Sequence, residues 1–280
     1  MSKKETTGQM YPLIINSSCY VGGNKFRYTF PKGSVDLRNT TVALSNIEIF
    51  YSWFNISAEY NNSIFTIMFP SALGAVWYQV IIPDGYYTIS TLNSWFQSWC
   101  VQNDLYLIDG SGNYVYYIEF LANPTYYAVQ INLYEVPDAL PVGWSKPAAF
   151  TFPAIPTRTM ITIGSANNFY KLIGFTPDTY VSASQLSNIT PQISPVQSII
   201  MQCSLLDNKY SLPSSNLYSF SVGNTEFGAI ISSSPGDLVF CETMDSSVSF
   251  FEVSFVDQDY NQLPFRDPNM IIQLILKVSN

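Results

Sequence analysis

The side chains that could carry chemistry in this sequence are carboxylates, because the chain of 280 residues contains no histidine. Histidine is the commonest general base, and nucleophilic Ser-His and Cys-His pairs are excluded without it. A two-carboxylate hydrolase needs only Asp or Glu side chains across a cleft, and Glu252, Asp257 and Asp259 are the candidates. Glu252 falls on an outward position of a predicted strand, and the two aspartates mark the turn after it. We therefore expect no enzymatic activity, no catalytic residues and no cofactor.

Metal and phosphate sites receive equally little support. Alternate oxygen-bearing side chains from Asp257 to Asn261 resemble a short calcium loop, but the twelve-residue pattern with its closing glutamate does not follow. The nearest approach to a phosphate-binding loop is the run Asp-Gly-Ser-Gly that starts at Asp109. It lies between two strand patterns and predicts a hairpin, so we expect no metal site.

The four cysteines have no ligand or redox spacing, and residues 1–10 lack the apolar segment of a signal peptide. We expect synthesis in the host cytoplasm, with the thiols reduced and packed as small apolar groups. Residues 60–83 carry no charge, but Pro70 and Gly74 interrupt the run and divide it into two strand-length pieces. The sequence therefore predicts two strands there and no membrane insertion.

Charged residues make up only 11% of the chain, against about 25% in an average soluble domain. Such a surface is suited to contact with other protein. The net charge is −8, yet residues 1–38 hold six basic and two acidic side chains. We expect a mildly basic N-terminal arm over 1–38, with Lys3, Lys4, Lys25 and Arg27 as inner contacts to an acidic protein surface or, weakly, to a genome. The alternative is that the terminal lysines only aid solubility.

Alternation of apolar and polar residues predicts β-strands over most of the chain. It is clearest at 127–134, 251–256 and 270–278, where every second side chain is large and apolar. Turn residues separate these runs, as at residues 109–113 and 234–237. The pattern is typical of an all-β antiparallel sandwich or barrel. The other predicted strands are 41–54, 64–69, 75–82, 114–121, 159–163, 196–203, 218–222 and 238–242.

One amphipathic helix is predicted over about 89–101, where Ile89, Leu92, Phe96 and Trp99 recur at three- and four-residue intervals. Shorter helical turns are expected near 167–173 and 182–187. Eight of the 17 prolines fall within 137–195, which favours an extended, Pro-rich insertion at about those residues. We therefore expect one domain over 39–280, preceded by the arm.

Three short motifs resemble the jelly-roll capsid proteins of virophages, polinton-like and related double-stranded DNA viruses. The first is Ile-Ile-Pro-Asp-Gly-Tyr-Tyr-Thr-Ile-Ser-Thr-Leu-Asn at 81–93, which in that family ends a strand and opens a short helix. The second is Phe-Tyr-Lys-Leu-Ile-Gly-Phe at 169–175, similar to the family's Leu-Leu-Gly-Phe element. The third is Phe-Val-Asp-Gln-Asp-Tyr-Asn-Gln-Leu-Pro-Phe at 255–265, which resembles the start of its closing strand pair. The resemblance spans roughly residues 40–280.

The resemblance implies an eight-stranded jelly roll and a structural role in a virion. The family's major capsid protein has two jelly rolls and about twice this length, whereas its penton, the minor capsid protein at the vertices, has one. At 280 residues with one copy of each motif, the chain fits the penton. The implied partners are four further copies in a homopentamer and the double jelly-roll major capsid protein, and the implied location is the capsid vertex.

Two other functions remain open at this stage. Aromatic doublets such as Tyr86-Tyr87, Tyr116-Tyr117 and Tyr126-Tyr127 could line a sugar platform, so a receptor- or glycan-binding spike domain is the main alternative. A single jelly roll that serves as a major shell protein would favour trimers.

Overall fold

The computed structural model describes residues 8–279 and divides the chain into two compact units. The first unit comprises Met1–Trp53 and Val196–Asn280, and the second is the segment between them, Phe54–Pro195. The second unit is thus inserted into the first in sequence.

The strands and helices follow one another in this order. The first segment contains β1 (Gln9–Asn16), β2 (Tyr20–Gly22), β3 (Lys25–Thr29), β4 (Val35–Asp36) and β5 (Thr40–Phe50). The inserted segment contains β6 (Ile64–Ser71), β7 (Gly74–Ile81), α1 (Ile89–Gln102), β8 (Leu107–Ile108), β9 (Tyr114–Val115), β10 (Ile118–Asn123), β11 (Ala128–Leu133), β12 (Glu135–Val136), β13 (Thr157–Arg158), β14 (Met160–Ile163), α2 (Phe169–Ile173), β15 (Asp178–Tyr180) and β16 (Ser184–Leu186). The last segment contains β17 (Ser198–Cys203), β18 (Asn216–Ser221), β19 (Ile230–Ser233), β20 (Cys241–Glu242), β21 (Ser247–Val248), β22 (Phe250–Asp257) and β23 (Met270–Val278). Short 3-10 helices lie at Ser17–Cys19 and Pro124–Tyr126.

The first unit is a jelly roll by its strand order. One sheet, here the first sheet, runs β1-β23-β5-β19, and the second sheet runs β18-β17-β22-β3, with β2 added beside β3. If the eight main strands are numbered along the chain, the first sheet has the order 1-8-3-6 and the second 5-4-7-2. All of these pairs are antiparallel. This is the double Greek-key order of a jelly roll, and the predicted eight-stranded all-β fold is confirmed.

Alternation along each strand builds the core of this unit. Leu13 and Ile15 of β1 are buried, as are Ile272 and Leu274 of β23. From the second sheet, Phe26 packs edge-on against Phe255 with ring centroids 6.3 Å apart. Because the side-chain period of a strand is two, the residues between these must project from the outer faces of the two sheets.

The second unit has its own apolar core and two separate sheets, β15-β14-β6-β7 and β10-β11-β16. Phe65 of β6 stacks on Phe169 of α2 at 4.9 Å between ring centroids. Phe96 of α1 packs against Phe65 and Phe120, each at 5.6 Å. The helix begins with a capping box in which Thr88 and Thr91 satisfy each other's backbone N–H.

Most of the sequence-based elements are confirmed, including α1, the strands at 64–69 and 75–82, and the closing strand. The described residues contain no helix long and apolar enough to cross a membrane. The predicted helical turn at 182–187 is wrong, because Ser184–Leu186 pairs with β11 as an edge strand. Tyr127 does not begin a strand either, since it lies in the left-handed region at φ 49° and closes a 3-10 turn.

The expected domain limits do not coincide with the two units. Residues 9–36, expected as an arm, supply β1 to β4, and β1 is hydrogen-bonded to β23 along its length. The inserted unit starts at Phe54, well before the Pro-rich stretch at 137–195. Basic charge and proline density mark loops and strand edges in this chain, and neither property follows the limits of a hydrophobic core.

Gly174 gives a direct test of the core in the inserted unit. It follows α2 at φ 78°, and a Cβ there would lie 2.5 Å from the carbonyl oxygen of Ile189. We expect Gly174→Ala to lower the free energy of unfolding by about 1–3 kcal/mol. Gly164→Ala is the matched control, because its Cβ would meet its nearest neighbour at an ordinary 3.9 Å. Urea denaturation measures both, and equal stabilities would contradict this account.

Candidate assembly interface

The outer face of the first sheet is unusually apolar for an exposed surface. Its central members are Met10 and Ile14 of β1, Ile271 of β23 and Ile230 of β19, with 52%, 59%, 49% and 52% of their surfaces exposed. Soluble monomers rarely leave contiguous apolar surface of this kind in water, so it marks a contact site. The face comprises Met10, Pro12, Ile14, Asn16, Thr41, Ala43, Asn46, Glu48, Phe50, Ile230, Ser232, Ile271, Gln273, Ile275 and Lys277.

The strand register brings these side chains together. Ile14 lies opposite Gln273, Ile271 lies opposite Glu48, and Ile230 lies opposite Phe50. One end of the face sinks into a cavity of about 340 Å³, whose lining includes Phe50, Ile230 and Ile271. A concave apolar site with a few polar groups at its edge can accept a side chain of another protein.

The outer face of the second sheet has the opposite character. Arg27 of β3 and Glu252 of β22 form an ion pair at 2.7 Å, and the guanidinium lies 4.6 Å from the ring centre of Phe250. The jelly roll therefore has one apolar and one polar outer face. The remaining outward positions are mainly hydroxyl or amide side chains: Thr29, Ser198, Gln202, Ser219, Ser221 and Ser254, with Lys25, Ile200 and Val256.

The four basic residues expected to make inner contacts are placed as follows. Lys3 and Lys4 lie outside the described residues. Lys25 and Arg27 are two residues apart on β3, so both project from the polar face of the second sheet. Their contact with a capsid partner stays a prediction.

The candidate carboxylates have structural roles. Glu252 is engaged by Arg27, and Asp257 accepts hydrogen bonds from the backbone N–H of Asp259 and Asn261 at 2.8 and 2.9 Å. Those bonds close the turn after β22, which confirms the turn predicted from the sequence. Within residues 8–279, no group of three Cys, Asp or Glu side chains is arranged to hold a metal ion.

The cysteines are free thiols, and two of them are deeply buried. Burial raises the pKa of Cys100 and of Cys203 to about 12, because the apolar surroundings disfavour the thiolate. Both thiols are therefore protonated at neutral pH and pack as apolar groups. Cys19 and Cys241 are half-buried.

The aromatic doublets do not form one platform. Tyr117 is buried and Tyr116 is half-buried, as expected for adjacent residues of a strand region. Tyr126 and Tyr127 are both exposed, because they lie on the turn before β11 and not within a strand. A separate row in the inserted unit joins Tyr106, Tyr114 and Tyr116, with centroids 4.9 and 6.3 Å apart.

Sequence reasoning missed the apolar face because it assigned 1–38 to an arm on charge alone. The run Gln-Met-Tyr-Pro-Leu-Ile-Ile-Asn at 9–16 contained the signal, since Leu13 and Ile15 alternate with Ile14 in the manner of a strand. An apolar residue at both odd and even positions indicates a strand with protein on both faces.

Thiol labelling tests the burial of the cysteines. Alkylating reagents attack the thiolate, and a pKa of about 12 makes that form scarce in Cys100 and Cys203 at mildly alkaline pH. We expect iodoacetamide to modify Cys19 first and Cys241 next in the folded protein, and the buried pair only after urea is added. Peptide mass spectrometry assigns the adducts. Labelling of Cys203 in the folded protein at the rate of Cys19 would refute this order.

Comparisons with known proteins returned one class of protein. No family model matches the chain, and no curated protein matches it. Among solved structures, the crystal structure of the selenomethionine-labelled mavirus penton protein is similar over 97% of this chain and 100% of that chain, with 11% identity and a TM-score of 0.47. The resemblance to penton proteins stated from the sequence is therefore confirmed as a resemblance, while the jelly-roll fold rests on the strand order of this chain itself.

Proposed function

We propose that the protein is a structural subunit of an icosahedral capsid, namely the penton at the vertices, and that it works as a homopentamer. The observation that carries the proposal is the jelly roll with one apolar and one polar outer face. The motif resemblance to virophage and polinton-like capsid proteins supports the same role. In this role the protein has no catalytic residues and no cofactor, and it is made in the host cytoplasm before entering the virion.

A ring of identical subunits requires two different surfaces on each subunit. The contact in such a ring is heterologous, so one flank of each copy meets a different flank of the next. The apolar face of the first sheet supplies one flank. Permanent interfaces are enriched in aliphatic and aromatic side chains and depleted of charge in their centre, which fits Ile14, Ile230 and Ile271.

Charge at the edge of the face is sparse. Its two charged members are Glu48 and Lys277, and the Lys277 ammonium lies 5.4 Å from the ring centre of Phe240. Few charges therefore need to lose water when the face is covered, which keeps the cost of association low.

The double jelly-roll major capsid protein is the second partner in this proposal. We assign contacts to its surface, or weak contacts to the packaged genome, to the basic residues Lys3, Lys4, Lys25 and Arg27. The support is the local excess of positive charge in a chain of net charge −8.

The oligomer can be tested on the apolar face. We expect light scattering after size exclusion to give five times the chain mass, and Ile271→Glu to reduce the pentamer because a carboxylate would be desolvated at the contact. Ser219→Glu, on the outer face of the second sheet, is the matched control and should remain pentameric. A trimer, or a monomer both alone and with the major capsid protein, would contradict the proposal. So would an unchanged pentamer in Ile271→Glu.

The basic terminus has a separate test. Lys3→Glu combined with Lys4→Glu should lower incorporation into capsids when the protein is co-expressed with the major capsid protein, and the loss should be greatest at low salt. Lys209→Glu, in the loop between β17 and β18, controls for the change in net charge. Equal incorporation of both variants would remove these lysines from the contact.

A further inference from the structure

The first sheet has one open edge, at β1. Among residues 8–279, β1 is paired with β23 alone and forms the end of the sheet. An unpaired strand edge presents backbone N–H and C=O groups that another extended chain can use.

The register shows which residues turn their backbone groups toward this edge. Ser279 donates its N–H to the carbonyl of Asn39 at 3.0 Å, so the odd residues of β23 and those after it bond toward β5. The even residues of β23 then bond toward β1, where they face its odd residues. Met10, Pro12 and Ile14 consequently direct their backbone groups outward. Pro12, which has no N–H, occupies the kind of edge position where proline costs no ladder bond.

A cavity of about 470 Å³ lies beside the same edge. Tyr11 and Leu13 of β1 line it from one side, and Tyr28 and Phe30 line it from the side of the second sheet. Tyr11 and Leu13 alternate with the residues that turn outward. A strand added to β1 would therefore place every second side chain in line with them and over the cavity.

The charge beside the cavity indicates the charge of its occupant. Lys32 lines the cavity, and no described acidic residue forms an ion pair with it. The nearby Asp36 is engaged by Arg38 through bonds of 2.9 and 3.1 Å, and that pairing lowers the pKa of the carboxyl. An acidic group on the occupant would complete the pairing of Lys32.

We infer that β1 and this cavity form a docking site for an extended segment of a different polypeptide. The segment adds a strand to the open edge, places alternate large apolar side chains in the cavity and carries an acidic residue beside Lys32. Strand addition of this kind draws affinity from backbone bonds and specificity from side-chain pockets. The site does not require the homopentamer, and it lies at an edge and not on the apolar face described above.

Two other occupants fit the site less well. Residues 1–7, Met-Ser-Lys-Lys-Glu-Thr-Thr, have two lysines and no alternating apolar pattern. A second copy that paired β1 with β1 would form a two-fold contact, with two copies of Pro12 in it and no acid brought to Lys32. A partner segment with alternating apolar residues and an acidic end satisfies every feature of the site.

The test uses the full chain and two fluorescent nonapeptides in which Phe and Leu alternate with Thr. One peptide carries Asp at both ends and the other carries Lys. Met10→Pro removes an outward N–H from β1, whereas Met10→Ala removes the same side chain and keeps the N–H. By fluorescence anisotropy, we expect Met10→Pro to bind the Asp peptide about tenfold more weakly than Met10→Ala does. Thermal melting must show that both variants are folded, and Ile14→Pro against Ile14→Ala repeats the comparison if Met10→Pro is not.

Lys32→Glu tests the charge. The wild type should prefer the Asp peptide to the Lys peptide, and the variant should reverse that preference. Equal binding by the proline and alanine variants, no binding of either peptide at millimolar concentration, or an unchanged preference in Lys32→Glu would each overturn the inference. Light scattering without peptide separates the remaining case: if Met10→Pro changes the oligomer and Met10→Ala does not, the occupant is a second copy and the assignment to a different polypeptide is wrong.

Discussion

The side chain of Asn55 holds the two ends of the inserted unit together. Its amide nitrogen donates to the carbonyls of Tyr87 and Ile193, both at 2.7 Å, and its oxygen accepts the N–H of Tyr87 at 2.8 Å. The group is buried, so each of these bonds replaces one that would otherwise be lost to water. Because the first and last segments of the insertion meet at one residue, the jelly roll can place a complete folded unit between β5 and β17 and still close its own strand order.

The jelly roll then determines where function can lie. Strand alternation commits one face of each sheet to the core, and only the outer faces, the edges and the loops remain for partners. In this chain the two outer faces have been given different chemistry, aliphatic on the first sheet and hydroxyl-rich on the second. A subunit of a closed ring needs such a difference, because identical flanks would pair two-fold and stop at a dimer.

Local patterns predicted the elements well where one physical signal dominated. The capping threonine and the spacing of Leu92 and Phe96 placed α1, and strict alternation placed β23. The domain limits could not be found in this way, because they depend on which strands share a core and not on local composition. The apolar interface was hidden for a related reason: β1 pairs with β23, at the other end of the chain, and only that pairing turns Ile14 and Ile271 to the same side.

The three motifs that carry the family resemblance have structural explanations in this chain. Asp84 accepts the N–H of Ala58 and Gly85 exchanges backbone bonds with Ile56, so the first motif anchors the turn before α1. Gly174 lets the chain pass close to Ile189, and Asp257 closes the turn that leads to β23. None of these residues lies on the apolar face or at the open edge of β1. The motifs therefore specify how the chain folds, and partner choice is left to surface residues that short motifs do not register.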